Sequence, residues 1–158
     1  MAVPVEYRDL HQAFSRGPAI LREAIADLTM GELTRRDQSG GWSTRDVLVH
    51  LADMELVRAV RIRMILAQEE PLLTAVDEGS WQRKLHYLWR SPEAALTQFE
   101  MARFSTAEIL NQCSREAWTR TGRHEEEGAI TVAELARRGV AHVNDHVQQI
   151  AEIRAKGR

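Results

Sequence analysis

Two histidines near the carboxyl end of the chain have the spacing of metal ligands on a helix. His142 and His146 are four residues apart, so on an α-helix they share one face, about one turn from each other. Leu135, Ile150 and Ile153 fall on the same face, which predicts that both imidazoles lie in the apolar stripe of an amphipathic helix. Such a pair is either two neutral, hydrogen-bonded core histidines or two ligands of one metal ion.

A third histidine on a second amphipathic helix bears on this choice. A metal site needs at least three protein ligands. His50 lies on the apolar stripe predicted for residues 43–67, together with Val47, Leu51 and Met54. One imidazole facing a pair at i and i+4 gives a three-histidine set with open coordination positions, as expected of a catalytic metal. The spacing therefore favours the metal interpretation, with core histidines as the alternative.

Composition and charge limit the class of protein. The 158 residues are 44% hydrophobic, and we expect one globular domain over residues 1–158. A formal net charge of −2 without a cluster of Lys and Arg argues against nucleic acid as the ligand. Cys113 has no second cysteine to pair with, the N-terminus lacks a signal-peptide pattern, and no apolar run is long enough to span a membrane. We therefore expect a cytoplasmic protein.

Helix-start signals divide the chain into four main helices. The first is predicted over residues 5–29, with a kink or short break at Gly17–Pro18, and the polar residues 31–41 predict a loop. Serine or threonine caps open the other three helices at Ser43, Ser91 and Thr131. The second helix is expected to end near residue 67 and the third near residue 113.

The connection between the second and third helices is too long for a tight turn. It covers residues 68–90 and contains Trp81, Tyr87 and Trp89, which we interpret as packing anchors around a short helix at 79–88. A crossover of this length lets helix three run parallel to helix two. The sequence therefore predicts an all-α, up-down-down-up four-helix bundle, with residues 114–130 as a polar linker before the last helix.

Two segments of the chain resemble the DinB/YfiT-like superfamily. They are GWS at 41–43 with VHLADME at 49–55, and AHVNDHVQQI at 141–150. Members are four-helix bundles that bind a divalent metal through three histidines, so the resemblance implies metal ligands at His50, His142 and His146. Activities known in the superfamily include transfer of low-molecular-weight thiols to electrophiles and thiol-dependent isomerisation, and many members have no assigned reaction.

These features predict a metal-dependent enzyme acting on a small molecule. Three neutral imidazoles leave a cation its full double charge, which activates a water or thiol for hydrolysis or thiol transfer. Zinc or nickel is the expected metal, with iron, manganese or copper as alternatives, and a low-molecular-weight thiol is a candidate co-substrate. The alternative is a non-catalytic metal-binding stress or interaction bundle with structural histidines. We also expect a homodimer, because such bundles commonly pair through exposed helix faces.

Other polar residues could support the site. Asp53 and Gln149 each follow a candidate ligand by three residues, and are either partners that orient rings or waters, or ordinary surface residues. Arg103, on the buried stripe of the third helix, is expected to pair with Asp53 or Glu55, the alternative being that it holds an anionic substrate group. Gly139 is expected to leave space for the nucleophile or substrate.

The remaining histidines are not assigned to the metal. His11 is interpreted as a surface or packing residue, and His86 as structural or exposed. We expect His124 to make a hydrogen bond that orders its loop. The acidic run at 125–127 is predicted to be solvated.

Overall fold

The computed structural model describes residues 2–36 and 40–156, and four long helices make up most of it. In chain order the helices are α1 (Arg8–Ile25), α2 (Met30–Thr34), α3 (Thr44–Ala67), α4 (Glu78–Lys84), α5 (Pro92–Asn111), α6 (Arg115–Thr119) and α7 (Val132–Lys156). Short 3₁₀ turns lie at Val5–Tyr7 and Tyr87–Trp89. The long helices α1, α3, α5 and α7 form the bundle, which confirms the four-helix prediction.

The predicted caps open three of the long helices. Ser43 Oγ accepts a hydrogen bond from the Asp46 N–H at 3.2 Å, and the Asp46 carboxylate accepts one from the Ser43 N–H at 2.9 Å. This reciprocal capping box satisfies backbone donors that α3 would otherwise leave free. Ser91 caps α5 ahead of Pro92, and the Thr131 hydroxyl accepts from the first turn of α7 at 3.0 Å.

Side-chain contacts give the directions of the helices. Gln98 donates to Asp53 at 3.3 Å and Arg63 donates to Thr106 at 3.1 Å. The early part of α3 thus contacts the early part of α5, and the later parts contact each other. These two helices therefore run in parallel, as the long crossover requires.

The outer pair, α1 and α7, is also parallel. Arg154 near the end of α7 donates to the carbonyl of Ala24 near the end of α1, at 3.0 Å, and Gly139 earlier in α7 packs against Phe14 earlier in α1. Between α1 and α5 the order reverses, because His11 contacts the Ala107 carbonyl at 2.9 Å whereas Arg22 bonds to Glu100. The directions are therefore up, down, down, up, as predicted.

A polar layer divides the core of the bundle into two apolar clusters. One cluster includes Phe14, Ile62, Leu110 and Trp118, and the other includes Leu21, Leu51, Phe99 and Val143. Each long helix contributes residues to both clusters, and the short segments between these residues lie at the same height along the bundle axis. The residues of this polar layer are Gly17 of α1, Glu55 of α3, Arg103 of α5 and Gly139 of α7.

The connecting segments pair in a three-stranded sheet, and here the polar-linker prediction for 114–130 is wrong. Strand β1 (Leu72–Leu73) runs parallel to β2 (Thr121–His124), which pairs antiparallel with β3 (Gly128–Thr131). Gly122 packs so closely that an added Cβ would lie 2.9 Å from both Ile65 and Leu73. The strands have four residues or fewer, which is too short to show an alternating pattern. The segment also contains α6.

The predicted first helix and the loop after it also differ from the structure. Helix α1 continues through Gly17 and Pro18 without a break and ends at Ile25. Helix α2 overlaps the start of the predicted loop and is opened by a capping box between Thr29 and Glu32. Residues 37–39 of the predicted loop lie outside the described residues.

The aromatic residues of the crossover pack unequally. Tyr87 is buried, whereas Trp89 is 83% exposed, so the packing-anchor prediction holds for the first and is wrong for the second. In the described residues no helix is both long and apolar enough to cross a membrane. The single domain, the cytoplasmic location and the homodimer stay predictions.

Candidate metal centre

Three imidazole nitrogens converge between α3 and α7. His50 Nε2 and His142 Nε2 lie 3.0 Å apart, and His142 Nε2 and His146 Nε2 are also 3.0 Å apart. All three nitrogens lie within 4.8 Å of one another, as a group that could hold a metal ion. The i,i+4 spacing on α7 aligns two rings on one face, and the antiparallel α3 brings the third ring opposite them.

The donor set fits a divalent metal. Zinc–nitrogen bonds of about 2.0–2.1 Å in tetrahedral geometry place ligand nitrogens about 3.3 Å apart. Two of the three nitrogen pairs, His50–His142 and His142–His146, lie within a few tenths of an ångström of that separation. Three protein ligands leave at least one coordination position for water or substrate.

Burial keeps two of the rings neutral. Desolvation, followed by the neighbouring His146, lowers the pKa of His50 to about 4. Desolvation, followed by the charge of Arg58, lowers the pKa of His142 to about 2. Both rings are therefore neutral at pH 7, which is the form that donates a lone pair to a metal.

Gln149 fixes the tautomer of the third ring. Its Oε1 lies 2.7 Å from His146 Nδ1, and an amide oxygen can only accept, so Nδ1 carries the hydrogen. The lone pair of His146 is then on Nε2, facing the other two rings. The hydrogen bond to Gln149 thus holds the His146 ring in one orientation.

Trp42 packs against the histidines from the side of the α3 N-terminus. Its ring meets that of His50 edge-on, with centroids 5.1 Å apart and an interplanar angle of 67°. It lies parallel to the ring of His146, with centroids 6.4 Å apart. The indole therefore packs against the His50 ring and lies parallel to the His146 ring on the same side of the cluster.

A cavity of about 420 Å³ opens beside the centre. Its volume is in the range of small-molecule sites. Residues from α3, α4, the β2–β3 turn and α7 line it, and they include Arg58, Arg61, Glu78, His124, Glu126, Arg138, His142 and Asp145. The cavity therefore adjoins a ring of the cluster and is lined by charges of both signs.

Glu78 brings a carboxylate to the histidine cluster, and no pattern in the sequence predicted this. Its Oε2 lies 3.8 Å from His50 Nε2, and its side chain is 55% exposed. Asp77 caps the N-terminus of α4, where Glu78 is the first residue. An acidic residue in a first helical turn is too common to indicate a site, so only the fold of the crossover reveals this proximity.

Asp53 and Arg103 form ion pairs with residues outside the histidine cluster, and the charge of Asp53 also acts on His50. Both oxygens of Asp53 accept from Arg90 Nη1, at 2.8 and 2.7 Å, which joins α3 to the crossover. Arg103 donates to both oxygens of Glu55, at 2.8 and 2.7 Å, and both side chains are fully buried. The cavity beside His142 is lined by other residues, so Arg103 has no contact with it.

Gly139 does not leave the expected space, because neighbouring side chains fill it. An added Cβ would lie 3.0 Å from Arg58 Cδ and 3.0 Å from Phe14 Cε2. Its carbonyl accepts from Arg103 Nη2 at 3.2 Å. The missing side chain therefore lets Arg58 pass close to α7, and the room for a substrate lies in the cavity instead.

The other three histidines lie outside the cluster. His11 Nε2 contacts the Ala107 carbonyl and joins α1 to α5, and His86 is exposed with a left-handed backbone at φ 52°. His124 Nδ1 accepts from the Glu126 N–H at 3.3 Å, across the β2–β3 turn. In the described structure each thus lies where a packing, surface or loop-ordering role is expected.

Comparison with known proteins gives relatives whose names refer to metal-dependent hydrolysis. A protein of Oceanobacillus iheyensis, named as a candidate metal-dependent hydrolase, is 27% identical over 137 residues, covering 86% of this chain and 78% of the relative. YfiT of Bacillus subtilis, named in the same way, is 24% identical over 143 residues, covering 90% of this chain and 80% of the relative.

The fold also matches a solved structure. That of Bacillus subtilis YfiT, described as having an unusual four-helix bundle topology, matches with a TM-score of 0.85 at 24% identity, covering 97% of this chain and 89% of that chain. The sequence profile of the DinB superfamily matches residues 13–150, which include the three clustered histidines and all but the ends of the bundle. The chain belongs to the DinB superfamily.

Proposed function

We propose that the protein is a metal-dependent hydrolase of a small molecule, with His50, His142 and His146 as the ligands of one divalent ion. The observation that carries this proposal is the convergence of three Nε2 atoms next to a cavity of about 420 Å³. The names of the relatives from Oceanobacillus iheyensis and Bacillus subtilis support hydrolysis as the reaction class. Zinc or nickel suits an all-imidazole donor set.

The residues around the centre have separate roles in this proposal. A divalent ion supplies a double positive charge that polarises the substrate and acidifies water. Glu78 Oε2, 3.8 Å from His50 Nε2, accepts a proton from the attacking water. Gln149 and Trp42 hold the rings in place, and the exposed side of the cavity admits the substrate.

Transfer of a low-molecular-weight thiol is the second candidate. The cavity is large enough for a thiol beside an electrophile. In that reaction the thiol takes the place of water as the nucleophile, and Glu78 accepts the thiol proton. Hydrolysis and thiol transfer would use the same residues, so the two reactions differ only in whether the nucleophile is water or a thiol.

The alternative is a bundle in which the metal is structural. A structural ion raises the melting temperature when it binds but supports no turnover. A catalytic ion exchanges at an open position and restores activity when it is added back to the stripped protein.

Metal content of protein purified without a polyhistidine tag is the first test. We expect about one divalent ion per chain, lost in His50→Ala and His142→Ala and retained in His86→Ala, whose side chain is exposed away from the cluster. Esters, amides, phosphoesters and thiol-plus-electrophile pairs are then assayed with stripped and reloaded protein. Turnover that depends on the metal supports the enzyme. No bound metal, and no uptake of zinc or nickel, overturns the proposal.

A further inference from the structure

One buried carboxylate is shared by two guanidinium groups. Both oxygens of Glu55 accept from Arg103, and Oε2 accepts a further hydrogen bond from Arg58 Nη1 at 2.7 Å. Glu55 and Arg103 are fully buried, and the Arg58 side chain is 12% exposed. A single negative charge therefore faces two positive charges, and the one positive charge in excess is shielded from bulk water.

Arg58 brings this surplus charge to the cavity. Its Cδ and Nε lie 3.0 and 3.1 Å from where a Cβ on Gly139 would be, so its side chain lies along α7 one turn before His142. Arg58, Arg61 and His142 all line the cavity. Arg61 donates to the neutral carbonyl of Thr74 and forms no direct ion pair within the described residues, although the charge of the exposed Glu127 acts on it from a greater distance.

The acidic residues of the cavity occupy its exposed side. Glu78, Glu126, Glu127 and Asp145 are all exposed, and Glu127 accepts from Arg138 at 2.6 Å. Water and salt screen solvated carboxylates more than a buried guanidinium. Apart from Glu78, which reaches to 3.8 Å from His50 Nε2, the inner wall of the cavity is therefore cationic while its rim is acidic.

We infer that the substrate carries an anionic group, a carboxylate or a phosphate, which binds Arg58 and Arg61 while the reacting bond faces the histidines. This inference rests on the proposed function, because the anion binds in the cavity of the proposed metal centre. A divalent ion at the histidines adds positive charge to the same cavity, and an anion is the group that neutralises both. Guanidinium groups bind carboxylate and phosphate through paired hydrogen bonds.

The test compares charged probes with a neutral one on zinc-loaded protein. Isothermal titration calorimetry measures the affinity for succinate, inorganic phosphate and succinamide, which represent a carboxylate, a phosphate and an uncharged analogue. The variants are Arg58→Met and Arg61→Met, and Arg137→Met is the matched control, because Arg137 is exposed on α7 and pairs with Glu134. Arg58→Met leaves the pair of Glu55 and Arg103 intact, and Arg58→Lys is a second variant in case the first unfolds.

We expect succinate or phosphate to bind at least about tenfold more tightly than succinamide, and Arg58→Met to abolish that preference. Arg61→Met weakens anion binding less, Arg58→Lys keeps part of it, and Arg137→Met leaves it unchanged. Equal anion affinity in Arg58→Met and the unaltered protein, or no preference for anions, overturns the inference. Zinc content measured on the same samples separates the two failures: bound zinc without an Arg58-dependent anion site refutes only this inference, whereas absence of zinc refutes the proposed function.

Discussion

Arg103 supplies the hydrogen bond that Pro18 cannot donate. Pro18 has no N–H to reach the carbonyl of Phe14 four residues back in α1, and Arg103 Nη1 donates to that oxygen at 3.0 Å. The same guanidinium bonds to Glu55 and to the Gly139 carbonyl. One side chain of α5 therefore joins α1, α3 and α7, which explains why α1 continues through its proline.

Replacing this arginine should destabilise the bundle strongly. Arg103→Met leaves the buried Phe14 carbonyl without a donor and Glu55 with Arg58 alone, and we expect a loss of about 3–5 kcal/mol in the free energy of unfolding. Urea denaturation measures it. Arg22→Met is the control, because Arg22 pairs with Glu100 on the surface, where ion pairs contribute little to the free energy of unfolding. Equal losses in the two variants would contradict the role of Arg103.

Two glycines in helices should respond in opposite ways to alanine. A Cβ on Gly17 would lie 2.7 Å from Arg103 Nη1, which is fixed by its other hydrogen bonds. Gly17→Ala should therefore lower the free energy of unfolding, although alanine favours a helix over glycine by about 1 kcal/mol. At Gly31 the nearest atom is 3.9 Å away, so Gly31→Ala should stabilise by less than about 1 kcal/mol. Thermal unfolding of both variants tests this, and stabilisation by both would show that Arg103 moves freely.

The sequence predicted those features that depend on local patterns. Caps such as Ser43 and Ser91 predicted the starts of long helices, since a cap acts on backbone groups within three residues. The histidine spacing and apolar stripes predicted which faces of α3 and α7 meet. The length of the crossover predicted that α3 and α5 are parallel, because parallel neighbours cannot be joined by a tight turn.

Features that depend on distant pairing had no local pattern. The approach of Glu78 to His50 arises from the path of the crossover over the bundle, and the sharing of Glu55 by two arginines arises from packing among helices. Gly139 was expected to open space, but Arg58 comes from another helix and fills it. The two-residue strand β1 (Leu72–Leu73) forms only because β2 lies beside it.

The metal-stripped protein should lose stability as the pH falls below neutrality. Burial lowers the pKa of His50 to about 4 and that of His142 to about 2, from 6.5 in the unfolded chain. As the pH falls through 6.5 the unfolded chain therefore binds protons that the folded protein does not, so the free energy of unfolding decreases. The slope is at most about 1.4 kcal/mol per pH unit for each histidine.

Urea denaturation of the stripped protein between about pH 7 and pH 5 measures this slope, in a range where most carboxylates stay ionised. The variant His142→Gln removes one of the two groups and should reduce the slope. A free energy of unfolding that does not change over this range would show that both rings protonate in the folded protein as they do in the unfolded chain.

Removing the carboxylate of Glu78 should impair turnover more than metal binding. In Glu78→Gln the side chain keeps its size but can no longer accept a proton from the nucleophile, and general-base catalysis contributes about 10²–10⁴-fold to rates. We therefore expect kcat to fall by about that factor while one ion per chain remains bound. Glu126→Gln is the matched control, since it removes a charge from another exposed residue of the same cavity and should change kcat less than about twofold. Equal effects in the two variants would indicate a general electrostatic contribution, and loss of the ion in Glu78→Gln alone would make Glu78 a metal ligand.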